Sequence, residues 1–512
     1  DIRRAPSEAP TAPKPAGAVT APTPPADALA QPPTVVTPLP ERPPATDVAP
    51  LGLGAEHLGS AEFRTDWGLR YAYVAGSMYK GIASPDLVIR LGRTGLLGFL
   101  GAGGLRLHEI DAAIGKIRAA VPAGAAWGVN LISQPDHPHL EEETVDLLLR
   151  QEVCAAEASA FLGVTPALIR YRLSGARRGP DGGALIANKV IAKVSRPEVA
   201  EGFLSPAPDA MLRALVERGA LSAEEADIGQ RVPVAGDLTV EADSGGHTDG
   251  GSLLALLPTI LELRDDVAAR HEYVAPPRIG AAGGIGTPHA ALAAFMLGAD
   301  YVLTGSINQC SVEAGTSEAV KDLLEGIGPQ DTTYAPAGDM FEVGARVQVV
   351  RRGLFFAARA NKLHETWRQY GSMEALPAEL VTQIEKRFFR QPMDSVWAET
   401  RAHWSRARPE LLARAEADPK AKMALIFRWY FAHTMRLALA GDTSARVDWQ
   451  IHCGPALGAF NRWVAGTPLA SWRDRHVERI AEALMEGTAA LLSRRLREIS
   501  PPTLAPVAAA TV

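Results

Sequence analysis

Two glycine-rich turns carry the strongest chemical signal in this sequence. AAGGIGTPHAA (281–291) places Gly283 and Gly284 ahead of Thr287, a good helix N-cap, and Pro288, which suits a first helical position. Flexible backbone N–H donors followed by a helix N-terminus present aligned donors and partial positive charge to an anion. TGS (304–306), with Gly305 and Ser306, is a second turn of the same kind. Ordinary tight turns use the same residues. Lying at the ends of two consecutive apolar runs, the pair reads better as a phosphate site. Nothing in it tells one phosphorylated ligand from another.

Other residues that can do chemistry also fall where apolar runs end. Gly76, Ser77 and Met78 close the first run, and Gly101 to Gly104 close the second. Asn130 ends the third, where it can hydrogen-bond a ligand or cap the next turn. Lys193, between Ala192 and Val194, can neutralise negative charge on a reduced cofactor or bind a carbonyl oxygen; alternatively it pairs with a rim carboxylate. Ser195 lies two residues on. His247 follows Gly245 and Gly246, which predicts an imidazole pushed into a cavity, with an ordinary pKa near about 6.5 that suits proton transfer. A structural histidine is the plain alternative. Small residues converging with a few polar groups suit close approach to a flat, phosphorylated cofactor.

Eight apolar runs must position these residues: 71–78, 96–104, 126–132, 153–159, 189–195, 238–246, 278–284 and 301–306. Most are followed by a helical pattern, as at 106–119, 138–150 and 288–298. Strands alternating with helices predict a buried parallel sheet, and eight units favour an α/β fold closed as a (β/α)8 TIM barrel. Its active site would lie at the C-terminal strand ends. Between the fifth and sixth strands, 208–226 predicts two short helices around Gly219. Residues 340–470, including 342–367, read as helical, a cap resting on the barrel. The final helix, 476–499, places Ile480, Leu484, Leu491 and Leu492 near one face.

Composition excludes several classes. A hydrophobic fraction of 47%, a charged fraction of 21% and a net charge of −6 over 512 residues describe a soluble globular protein, with no sign of nucleic acid as a partner. No stretch approaches the roughly 20 apolar residues that span a bilayer. Cys154, Cys310 and Cys453 match no metal spacing and suggest reduced thiols in a cytoplasmic protein. There is no HExxH and no GxSxG elbow. The Pro/Ala-rich start reads as a disordered tail or an interdomain tether. An Asp at position 1 suggests a piece of something longer.

GVNL (128–131), VIAKVS (190–195), SGGH (244–247), AAGGI (281–285) and TGS (304–306) resemble the nitronate monooxygenase (2-nitropropane dioxygenase-like) superfamily of FMN barrels. That resemblance implies FMN phosphate at the last two motifs, a functional histidine at His247, and Lys193 near the flavin. ADSGGHTDGG (242–251), APAGDMFEVGARVQVVRRG (335–353), ANKLHETW (360–367) and QIHCGPALGAFNRWV (450–464) look more specifically like the trans-acting enoyl reductases of trans-acyltransferase polyketide synthases. The same motifs are similar to the enoyl reductase of polyunsaturated fatty acid synthases.

The resemblance implies an FMN-dependent, NADPH-driven reductase of 2-enoyl thioesters borne by an acyl carrier protein. Hydride would pass from the flavin to Cβ and a proton to Cα. His247 and Lys193 are candidates for the proton donor and for stabilising the thioester oxygen, in either assignment. Gly76, Ser77, Met78, Asn130, Lys193, Ser195, Gly245, Gly246, Gly283, Gly284, Gly305 and Ser306 would line the cofactor. Arg346, Arg351 and Arg352 would face the acidic carrier, or be solvated helix charges. The domains would be a linker (1–52) fused to another synthase domain such as an acyltransferase, the FMN-binding barrel (53–335), a helical substrate- and carrier-docking subdomain (336–472), a helix packing back on the barrel (473–498) and a disordered tail (499–512). The competing functions are nitroalkane oxidation by a nitronate monooxygenase, a catalytically silent synthase scaffold, and an inosinate-dehydrogenase-like barrel. The last would want a cysteine where GGHTDGG stands.

Overall fold

A computed structural model describes residues 53–499 of the chain, apart from Asp136 and Asp181. The expectations for 1–52 and for the tail beyond Ile499 lie outside the described residues.

Eight parallel strands close a barrel: β1 (Tyr73–Ala75), β2 (Leu97–Leu100), β3 (Gly128–Ile132), β4 (Ala155–Ser159), β5 (Lys189–Val194), β6 (Asp237–Glu241), β7 (Arg278–Ala282) and β8 (Tyr301–Thr304). Seven lie within the predicted apolar runs, and β6 begins one residue before its run. Neighbours in sequence are neighbours in space, with β8 returning to β1. The strands are almost wholly buried because helices cover the outside and side chains fill the inside.

Register fixes which residues face inward. Asn130 pairs with Glu157, Glu157 with Ile191, Lys193 with Thr239, and Glu241 with Ala282. Paired residues share a face, and alternate residues along a strand return to it. Towards the N-terminal strand ends this inner face is apolar: Val74, Leu97, Phe99, Ile191, Tyr301 and Leu303 pack with Phe63 and Trp67 of the helix Ala61–Trp67. Phe63 stacks on Tyr301 at 4.3 Å. Gly128 and Gly280 make room for the large rings, since a Cβ at either would come within 2.4 Å of Phe99 or Tyr301. The barrel is plugged at one end and charged at the other.

The insertion between β5 and β6 holds helices Asp209–Glu217 and Ala223–Gly229 on either side of Gly219, whose φ of 71° is left-handed. The region after β8 departs from the sequence-based expectation. Arg346–Val350 is a strand, not helix, paired antiparallel with Thr332–Pro336 on one side and His247–Thr248 on the other. Its RVQVV is β-branched and alternating, and pairing on both edges decides its conformation. Helices follow, from Phe356–Gln369 to Pro419–Ala440, around an aromatic core that includes Phe341, Phe356, Phe389, Phe427, Tyr430 and Phe431. The last helix, Val477–Ile499, packs on Pro288–Met296 and Pro85–Arg93 of the barrel's outer layer. Among the described residues no helix is long and apolar enough to cross a membrane, and no group of three or more His, Cys, Asp or Glu could hold a metal. The three cysteines are free thiols, with Cys310 and Cys453 buried.

Candidate active site

At the charged end of the barrel, Lys193 pairs with two inward carboxylates. Its Nζ lies 3.8 Å from Glu157 and 3.7 Å from Glu241. Burial works against the ammonium, but the two carboxylates outweigh it and hold Lys193 above the ordinary lysine value. Glu157 is fully buried and accepts from the backbone N–H and hydroxyl of Ser77. Ser244 donates to Glu241 at 3.2 Å. The structure therefore shows the carboxylate pairing, which the sequence left open beside contact with a reduced cofactor or a carbonyl oxygen.

Asn130 neither caps the next turn nor donates outward. Its Nδ2 bonds the Glu157 carbonyl at 3.0 Å and Ser159 at 2.9 Å, tying β3 to β4. Gly76 is buried under Leu303. Ser195 is taken up by Asp249, which it bonds at 2.7 Å beside a two-point Arg196–Asp249 ion pair, so its hydroxyl is committed within the protein.

The β7 and β8 loops test whether the site suits a phosphate. Gly283 has φ 91°, and a Cβ there would lie 2.7 Å from the Ala242 carbonyl carbon, so only glycine closes this turn. Gly284 and Gly305, by contrast, face open space. Among the described residues the backbone N–H groups of Gly284, Ile285, Gly305 and Ser306 donate to no protein acceptor. Thr287 caps the nine-residue helix Pro288–Met296 through Ala290 N–H. Unused donors, a helix N-terminus and open space over two glycines fit an anionic phosphate. Ser306 is also bound into the protein: its Oγ accepts from Gly454 N–H at 3.0 Å.

The loop after β6 is held by Asp243, which accepts from Thr248 at 2.8 Å, Gln348 at 2.5 Å and the Tyr334 hydroxyl. One carboxylate thus joins all three strands of the small sheet to the barrel rim. Asp243→Ala strands three donors, and we expect a loss of about 2–4 kcal/mol, measured by urea unfolding. A loss under about 0.5 kcal/mol would mean the sheet docks without it.

His247 lies on the edge of that sheet, paired with Val347, and within the field of Glu241 of the barrel. Its Nε2 meets Asp339 at 2.9 Å, and the side chain keeps 43% of its surface exposed. The bond to Asp339 holds His247 above the ordinary imidazole value against partial burial, helped by the charges of Asp339 and Glu241. His452 pairs with Val349 of the same sheet. Burial, with the His247 charge beside it, pushes His452 down to about 4.

Of the arginines, Arg351 bonds the Gln330 carbonyl, Arg352 pairs with Asp331, and Arg346 stacks on Tyr334. They lie on a strand and the turn after it, not on a helix. Glu157, Glu241, Asp243, Asp339 and His452 were not singled out from the sequence. A lone carboxylate within the small-residue strand AAEAS was the one available signal for Glu157.

The polyketide biosynthesis protein PksE of Bacillus subtilis is 52% identical over 452 residues, covering 88% of this chain and 58% of PksE. A polyunsaturated fatty acid synthase polypeptide of Thraustochytrium sp. is 44% identical over 429 residues, covering 83% of this chain and 28% of that polypeptide. The chain therefore spans less than two thirds of either relative. The crystal structure of the enoyl reductase domain of MlnA, from the macrolactin biosynthesis cluster of Bacillus amyloliquefaciens, matches with a TM-score of 0.84 at 44% identity, covering 87% of this chain and 100% of that one. The family model for the inserted helical domain of acyl-carrier-protein S-malonyltransferase matches residues 370–449.

Proposed function

This chain belongs to the enoyl reductase family represented by the MlnA domain, and on that premise we propose that it reduces 2-enoyl thioesters carried by an acyl carrier protein. The reaction would serve polyketide or polyunsaturated fatty acid assembly, with FMN as cofactor and NADPH as reductant. The observation that carries this reading is the adjacency of two pairs of backbone N–H groups without a protein acceptor among the described residues, at Gly284–Ile285 and Gly305–Ser306, to a barrel mouth holding the Lys193 ammonium.

A bound flavin supplies the hydride for the double bond. The two cradles would hold its phosphate; Gly245 lets the β6 loop pack on the Cys453–Gly454 backbone beside Ser306, and Gly246 faces open space. Lys193, kept charged by Glu157 and Glu241, is placed to stabilise negative charge on a thioester oxygen as the double bond accepts hydride. His247, exposed at the rim and able to regain a proton from water, is assigned the delivery to Cα. The longer relatives, and the match of 370–449 to the inserted domain of a malonyltransferase, support a synthase setting with an acyltransferase nearby.

The experiment is incubation of the holoprotein with NADPH and a carrier-bound 2-butenoyl thioester, followed by mass measurement of the acyl chain. Gain of two hydrogens is expected. Nitroalkane consumption without that gain would favour the nitronate monooxygenases. A protein that binds no flavin would be a scaffold.

A further inference from the structure

We propose that Asp339, in the segment following Thr332–Pro336, is a positioning residue that holds His247 as the proton donor of the reaction. The inference rests on the assignment of His247 above. Asp339 belongs to the motif APAGDM, which neither the barrel nor the phosphate loops account for. The antiparallel strands Thr332–Pro336 and Arg346–Val350 bring it round to the β6 loop. There its Oδ1 takes Nε2 of His247 at 2.9 Å. Among the described residues, Nδ1 of His247 has no protein partner. With Nε2–H fixed on the carboxylate, Nδ1–H is the proton left to give.

The proton balance is complete within the reaction. Hydride arriving at Cβ leaves an electron pair at Cα; a C–H bond forms there as the Nδ1–H bond breaks. The ring is left neutral with Nε2–H still bonded to Asp339, and water at the exposed rim restores the proton. Three ionisable groups face His247: Asp339 from the loop, Glu241 from β6, and His452 from the Gln450–Gly454 segment. The two carboxylates favour the imidazolium. His452, partly buried and bonded to Gln450 at 2.7 Å, stays neutral beside it, so only one of the two rings carries the proton. Tyr79, on the loop after β1, lies within the field of Asp339 and adds no charge in the neutral range.

The protonation of His247 can be read without turnover. Diethyl pyrocarbonate acylates neutral imidazole, and mass spectrometry of the His247 peptide gives its modification rate against pH. In Asp339→Asn the midpoint should move to lower pH by about half to one unit. The alkaline limb of kcat/KM for the 2-butenoyl thioester should move with it, and Asp339→Glu should recover part of both. An unmoved midpoint overturns the role of Asp339, whatever the activity. A moved midpoint beside full turnover by His247→Ala would instead overturn the assignment of His247 as donor.

Discussion

Lys193→Met should lower kcat/KM for enoyl reduction by about 10²–10³-fold and destabilise the fold by about 3–5 kcal/mol. Both effects come from one charge. Lys193 is the cation between Glu157, fully buried, and Glu241, and its side chain is only 11% exposed. Removing it leaves two carboxylates on the inner face of the barrel with no counter-ion. One must then take up a proton or the layer must open to water. Lys193→Met/Glu241→Gln should regain stability because one uncompensated charge is gone, but not activity, because the ammonium is still missing. NADPH-driven reduction and urea unfolding separate the two effects. A Lys193→Met protein that keeps bound flavin and full turnover would remove Lys193 from the mechanism.

Two glycines on adjacent loops should respond to substitution in opposite ways. At Gly305 a side chain meets nothing within 4 Å, and φ of −127° lies outside the left-handed region that favours glycine. Gly305→Leu should therefore fold, with stability changed by less than about 0.5 kcal/mol. Its side chain, however, fills the space that the phosphate would need. Flavin affinity should fall about 100-fold, equivalent to about 2.7 kcal/mol, read by flavin absorbance after gel filtration. At Gly286 a Cβ would lie 2.2 Å from the Ala456 carbonyl oxygen, a backbone atom with no rotamer to escape into. Gly286→Ala should cost about 1–3 kcal/mol through overpacking. If Gly305→Leu retained flavin, the phosphate would not lie over this loop.

Much of the barrel was legible because its cues are local. A run such as KVIAKVS followed by a proline-started helix specifies strand then helix within a dozen residues, and eight such units leave few closed arrangements. The same locality exposed the turn at Gly283–Gly284, since a glycine pair before Thr-Pro signals a left-handed turn and a capped helix. RVQVVRRGLFF misled for the converse reason. Short apolar spacing inside an arginine-rich segment suits either period, and only the edges of Thr332–Pro336 and His247–Thr248 decide for strand.

The sequence by itself determined the alternation of strands and helices, the two phosphate-like turns, and the candidates Lys193 and His247. Each depends on residues within a few positions of one another. Tertiary structure decided what those candidates meet. Glu157 and Glu241 reach Lys193 only because barrel register turns all three to one face, and Asp339 reaches His247, 92 residues away, only through a sheet that the intervening chain builds. Charge pairing acts through space over a few ångströms, so the partner of a buried ion is set by the fold and not by its neighbours along the chain.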